Sequence, residues 1–245
     1  MAACGLLLTL VMAGCSSGPP VPDWQLEAHG SMQRFTSAYL AGDSRVAGAE
    51  FERARRELAR TGRADLVARA ELTRCALRLA SLETVAAPAA QVCPGFAPLR
   101  EDASAAERAY ADFLSGALLP AQLPLLPVAQ QAAAAAGPDA TRREAAVRAV
   151  ADPVARLVAS AAALRAGVAP PGLMAQAVDT ASQAGWRRPL LAWLGLQRRQ
   201  ALAAGDELAA RALQRRIELA GGASPSGDAS AAPAAVPAAA PSVGR

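Results

Sequence analysis

The sequence predicts an all-α protein, and three observations carry that prediction. Hydrophobic residues make up 53% of the 245-residue chain while aromatics make up only 4%, because alanine supplies most of the apolar content. Alanine has the highest intrinsic helix propensity and little volume, so such a chain packs helices closely. Runs of Val, Ile, Thr or aromatic residues alternating with period two, the mark of a half-buried strand, are scarce. Helix stop and start signals instead punctuate the chain at short intervals.

Those signals predict a folded part over residues 24–220. Ala41-Gly42-Asp43 and Ala204-Gly205-Asp206 each join a glycine to an aspartate. The glycine accepts the left-handed turn after a helix, and the aspartate caps the next helix by taking backbone N–H bonds. Such a junction makes an antiparallel helical hairpin. Ser104-Ala105-Ala106-Glu107 has the capping-box spacing. Asp152-Pro153 places a cap before a proline in the first turn. Pro170-Pro171, between Gly167 and Gly172, demands a break, and Gly62, Gly116, Gly137 and Gly185 mark further ends.

Between these signals the helices are amphipathic. Ala47, Phe51, Ala54 and Leu58 recur at steps of four, three and four, one face of a helix. Leu66, Ala70, Thr73 and Leu77 repeat those steps, on a helix expected over residues 64–82, and Ala209, Leu213, Ile217 and Ala220 form a similar stripe near the end. About nine or ten helices with short connections suit stacked helical hairpins. From Gly221 to Arg245 the chain is mostly Ala, Pro, Ser and Gly with almost no charge. That composition cannot bury enough apolar surface to offset the entropy of ordering, so a disordered tail is expected over 221–245.

The segment Tyr39-Leu40-Ala41-Gly42-Asp43, followed by Ala47, Phe51 and Ala54, resembles a tetratricopeptide repeat. In that family small residues let two helices approach and an aromatic fills the gap between them. The resemblance covers about residues 27–61. Gly205-Asp206 with Ala210 echoes the junction, but Gln214 stands where the aromatic would be, and residues 82–170 show no 34-residue period. The expected architecture is therefore either a TPR-like α-solenoid of stacked hairpins or an irregular α-bundle.

The N-terminus carries an address. Gly5 to Ala13 is a short apolar run, far below the roughly 20 residues that span a bilayer as a helix. It suits the core of a secretory signal peptide. It leads into Met12-Ala13-Gly14-Cys15-Ser16-Ser17, which resembles the lipobox of bacterial lipoproteins, with Met12 where that family usually has leucine. The resemblance implies a signal peptide over residues 1–14, lipidation of Cys15, and a Ser/Gly/Pro tether over 15–23. Membrane lipid would then be a partner through that anchor, with the body facing the periplasm. Ser16 after the cysteine, with no aspartate, implies outer-membrane delivery by the enterobacterial sorting rule.

The cysteines divide accordingly. Cys4 would leave with the signal peptide and Cys15 would take the lipid, so Cys75 and Cys93 remain as an even pair in an oxidising compartment. A disulfide is expected; two free thiols are the alternative. A zinc site is disfavoured because there is no CxxC spacing and His29 is the sole histidine.

Net charge is +4 and every basic residue is arginine. The charge is spread over many helices in mixed clusters, which points away from nucleic acid and towards solvated helix surface. A single histidine, His29, nearly excludes His-dependent triads, and no nucleophile elbow, HExxH or phosphate loop occurs. No cofactor or metal is expected. Glu27, Glu50, Glu52, Glu71, Asp102 and Asp112 supply carboxylates, but no pair is singled out for glycosidase chemistry. The most distinctive internal segment runs from Trp186 through Arg187 and Arg188 to Trp193. Trp and Arg are frequent partner anchors, so these four residues are candidates for a protein interface; core packing of the tryptophans is the alternative. The functional expectation is a non-catalytic, membrane-anchored scaffold or accessory factor for an envelope complex. An envelope-acting enzyme with a carboxylate site and a passive structural lipoprotein are the rivals.

Overall fold

A computed structural model describes residues 21–222. The signal segment, Cys15, most of the tether and residues 223–245 of the tail lie outside the described residues. Within them the chain is all-helical, with no strand. The α-helices are α1 (Asp23–Ala41), α2 (Ser44–Ala59), α3 (Ala64–Ala80), α4 (Ala89–Val92), α5 (Ala105–Ser115), α6 (Val128–Ala135), α7 (Ala140–Arg148), α8 (Pro153–Arg165), α9 (Pro171–Gln183), α10 (Arg187–Ala203) and α11 (Glu207–Gly221). Short 3₁₀ turns occupy Ala97–Leu99 and Pro120–Leu125. The helices outnumber the sequence expectation because α4, α6 and α7 are too short to show an amphipathic period.

Local chemistry explains the boundaries. The Asp43, Asp152 and Asp206 side chains accept from the backbone N–H of Val46, Ala155 and Ala209 at 2.9, 2.7 and 2.9 Å. Ser104 and Glu107 satisfy each other's backbone N–H groups in a reciprocal box. Gly42 ends α1 at φ +94°, where an L side chain would be strained. Leu82 is the exception, a leucine at φ +60° just past α3. Its conformation lets Glu83 N–H return to Arg78 O at 2.9 Å, closing the helix end as a glycine would.

Helix α3 is the shared wall of two cores. Phe35, Tyr39 and Leu40 of α1 and Phe51 of α2 pack on Ala70 and Leu77 of α3. Its other side presents Ala68, Leu72, Cys75 and Leu79 to a larger core with Leu114 of α5, Leu157 of α8, Val178 of α9 and Trp193 of α10. A smaller cluster joins α6, α7, α8 and α9 through Ala133, Val147, Ala159 and Leu173. The expected stripe on α3 was therefore too narrow: burial on two sides erases the contrast on which a single-face reading depends.

Of the two expected arrangements, the contacts fit the irregular bundle. α1 and α2 form one hairpin and α10 and α11 another, but α10 also packs on α1, and α3 packs on α8. In an open solenoid each repeat touches only its neighbours. Cys75 on α3 and Cys93 just after α4 form a disulfide, with Cα atoms 5.2 Å apart, that holds the following loop against α3. No described helix is both long and apolar enough to cross a membrane.

Candidate functional site

The segment singled out in the sequence is used inside the molecule. Trp193 is fully buried, and its indole N–H donates to Ala80 O at 3.0 Å. That carbonyl belongs to the last residue of α3, where the helix has no further N–H to offer it. Arg188 donates from Nε to Tyr39 O at 2.6 Å, from Nη1 to Glu83 Oε1 at 3.2 Å and from Nη2 to Ser44 Oγ at 2.7 Å. Its guanidinium lies 4.3 Å from the Tyr39 ring centroid, and the Tyr39 hydroxyl donates to Glu83 at 2.6 Å. Burial, then the hydrogen bond to the Glu83 carboxylate, raises the Tyr39 pKa well above the ordinary phenol value. Trp186 is half-buried between the two cores, and the Arg187 guanidinium lies near Gly42. Burial thus takes Trp193 out of surface contact, and Arg188 makes its hydrogen bonds within the molecule. One fills core volume and the other docks α10 onto the C-terminal end of α1, where a cation also suits the helix dipole. In an aromatic-poor domain the large side chains are needed for packing.

The prominent concavity lies elsewhere, along the N-terminal two-thirds of α1. It is an open groove of about 950 Å³ between α1 and α3, with Leu58 of α2 at its edge. Period-four spacing on α1 builds one wall from two adjacent rows. Trp24, Ala28, Met32 and Thr36 form one row, and Gln25, His29, Gln33 and Ser37 the other. From α3 come Leu66, Ala70 and Thr73, with Arg63 and Arg69 at the rim. The three α3 positions belong to the amphipathic stripe read from the sequence. Ala70 is buried, whereas Leu66 is half-buried and Thr73 exposed, so the row forms groove wall as well as core. A smaller hollow shares Arg69 and Thr73 with the groove and extends it over α5, past Tyr110, to Leu125 and Pro127.

The chemistry of this lining is specific. Apolar atoms dominate its surface, but nine of its fourteen side chains (Trp24, Gln25, His29, Gln33, Thr36, Ser37, Arg63, Arg69 and Thr73) carry hydrogen-bonding groups, and none is a carboxylate. Arg63 is engaged by Asp65 at 2.7 Å, and Arg69 pairs with Glu107. Burial works to raise the Glu107 pKa, but the Arg69 guanidinium and the Ser104 groups outweigh it and hold the carboxyl below its ordinary range. A general acid at neutral pH requires the opposite shift. His29 is exposed and bonds to Gln33 at 3.0 Å. Among the described residues no group of three or more His, Cys, Asp or Glu side chains could hold a metal ion.

No protein-family model, curated protein or solved structure matches this chain. The groove was not singled out in the sequence. Its signal is the pair of period-four rows on α1, which are visible in the sequence once α1 and α3 are known to face each other.

Proposed function

We propose that this chain is a lipid-anchored protein of the bacterial envelope. Its helical body faces the periplasm, at the outer membrane, as a non-catalytic scaffold or accessory factor. In this reading the α1–α3 groove receives an extended segment of a protein partner. The observation that carries it is the lining: an apolar floor that includes Ala28, Met32, Leu66 and Ala70, flanked by hydrogen-bonding side chains and two arginines, without carboxylates. An extended peptide brings unpaired backbone N–H and C=O groups, which must find partners when they leave water. An acyl chain brings none, and paired carboxylates for hydrolysis are missing from this lining. The anchor rests on the apolar run Gly5–Ala13 and on Ala13-Gly14-Cys15. Trp24, at the start of the groove, follows Cys15 by nine residues, so the groove would open close to the lipid surface.

The test combines crosslinking in living cells with recovery of the protein. Three forms are compared: native, Cys15→Ser, and a groove form with Gln33→Glu and Thr73→Glu. Both groove positions are exposed, and surface changes of this kind usually cost under about 0.5 kcal/mol. The expected result is one defined envelope partner with the native chain, several-fold less with the groove form, and loss of Cys15→Ser protein from the membrane fraction. Recovery of nothing above background with the native chain overturns the scaffold reading. Equal membrane retention of Cys15→Ser overturns the anchor.

A further inference from the structure

The chain itself carries a segment of suitable chemistry for the groove. We propose that residues 231–241, Ala-Ala-Pro-Ala-Ala-Val-Pro-Ala-Ala-Ala-Pro, dock in the α1–α3 groove and must be displaced by any partner that binds there. The proposal rests on reading the groove as a peptide site and goes beyond it by naming the resident peptide.

Three observations support the assignment. The first is reach. Helices α10 and α11 form a hairpin joined by Ala204-Gly205-Asp206, so α11 ends beside the start of α10. The start of α10 is the part that docks on α1: Arg188 bonds Tyr39 O, and Arg187 lies against Gly42. Gly222 therefore leaves the fold beside the start of α10, one helix width, about 10 Å, from the C-terminal end of α1, whose groove face ends at Ser37. Residues 223–230 can span about 27 Å at roughly 3.4 Å per residue, while the five residues from Ser37 to Gly42 cover only about 8 Å of helix. With about 10 Å more for the width of one helix, the tail segment is long enough to reach the groove.

The second is fit. Residues 231–241 are uncharged and carry only Ala, Pro and Val. Proline-rich segments favour an extended, pre-organised helix of about 3.1 Å per residue, and aromatic-lined grooves take them at low entropic cost. Eleven residues then cover about 34 Å, enough to follow the groove from α1 across α3 to the hollow beside Tyr110. Trp24 supplies an aromatic face to the groove and Tyr110 one to the adjoining hollow. Proline removes backbone donors and leaves carbonyl acceptors, and the lining offers donors: the amides of Gln25 and Gln33, and Arg63 and Arg69.

The third is tethering. A short flexible connection gives an effective concentration of order 1 mM. A segment with an intrinsic dissociation constant near 0.1 mM would then fill the groove about nine-tenths of the time, too weak to function as a free ligand but sufficient in cis.

The test has two arms. In the first, a photo-crosslinking amino acid replaces Val236 in the full chain, and the crosslinked peptides are sequenced. The expected product is a monomer with the tail joined to residues 24–37 or 58–73. Crosslinks elsewhere, none at all, or only between two chains overturn the proposal. In the second, a labelled synthetic peptide of residues 231–241 is titrated against the native full chain and against the full chain with Pro233→Asp, Val236→Asp and Pro237→Asp. Those three positions lie outside the described fold. The peptide should bind the tail variant about tenfold more tightly than the native chain; equal binding, or none to the variant, overturns it. A lost partner in the groove form, with no tail crosslink, would refute this inference and leave the groove's role as a partner site standing.

Discussion

Replacing Trp193 tests whether the tryptophan-arginine segment is core or interface. The side chain is fully buried, and its N–H satisfies the terminal carbonyl of α3, itself on a completely buried alanine. Trp193→Phe removes that hydrogen bond and part of the ring. An unpaired buried acceptor costs about 1–3 kcal/mol, so about 2 kcal/mol is expected. Trp193→Ala empties the site as well, and large-to-Ala changes of this kind cost about 3–5 kcal/mol. For a domain of this size those losses lower the melting temperature by roughly 2–4 °C per kcal/mol. Urea unfolding followed by far-UV circular dichroism measures both, with the m-value as a check that the same surface is exposed. A cost below about 1 kcal/mol for Trp193→Ala would refute the core assignment and return Trp193 to the surface. Where Trp193→Phe is fully folded, its recovery of an envelope partner should match that of the native chain.

Four further outcomes follow from the structure. Reducing the Cys75–Cys93 bridge, which spans 18 residues, should destabilise the domain by about 3 kcal/mol in the chain-entropy model, seen as a lower urea midpoint in the presence of reductant. Asp43→Ala and Asp206→Ala should each cost about 1 kcal/mol by removing a cap, and the double variant should be additive, since the two caps share no partner. Arg188→Ala should cost more than an ordinary surface change, because it unties α10 from Tyr39 O, Glu83 and Ser44 together; Arg188→Lys, which cannot reproduce the fork, should recover little of the loss in thermal melts. Glu107 has a folded pKa below its unfolded value. Its contribution is therefore present above the unfolded carboxylate pKa and fades as pH falls through the lower folded value. Glu107→Gln should flatten the acid limb of a stability-against-pH curve, and an unchanged acid limb would refute the pairing with Arg69.

How much was legible depended on whether a signal was local. Asp43, Ser104, Asp152 and Asp206 act within one turn, and each marks a helix start in the structure as it does in the sequence. The Cys75–Cys93 bridge could be anticipated because elimination left no other pair. The Leu66-Ala70-Thr73 row, by contrast, is legible as one face of a helix but not as groove wall, because periodicity tells which residues share a face and not what that face meets. The same limit hid the groove: Trp24, Met32 and Gln33 become a wall only because α3 stands opposite α1. Leu82 was invisible too, since nothing in a leucine announces a left-handed backbone; the surrounding packing holds it there at a cost of roughly 1–2 kcal/mol.

Leu82 also links the closing of the bundle to the opening of the groove. The turn at Leu82 carries Glu83 to the point where it meets Tyr39 and Arg188. That cluster gathers α10, the C-terminal end of α1 and the first residue of α2 into one contact. On the N-terminal part of α1, Trp24, Gln25, His29, Gln33 and Ser37 line the open groove against α3. Had α10 docked along the whole of α1, the row of Ala28 and Met32 would be ordinary core and the flanking glutamines would have no place in it. The polar row Gln25, His29, Gln33 and Ser37 is thus compatible with the fold because the Arg188 contact sits at one end of α1. A chain in which that contact were broken should both lose stability and change the shape of the groove, coupling the two measurements that test them.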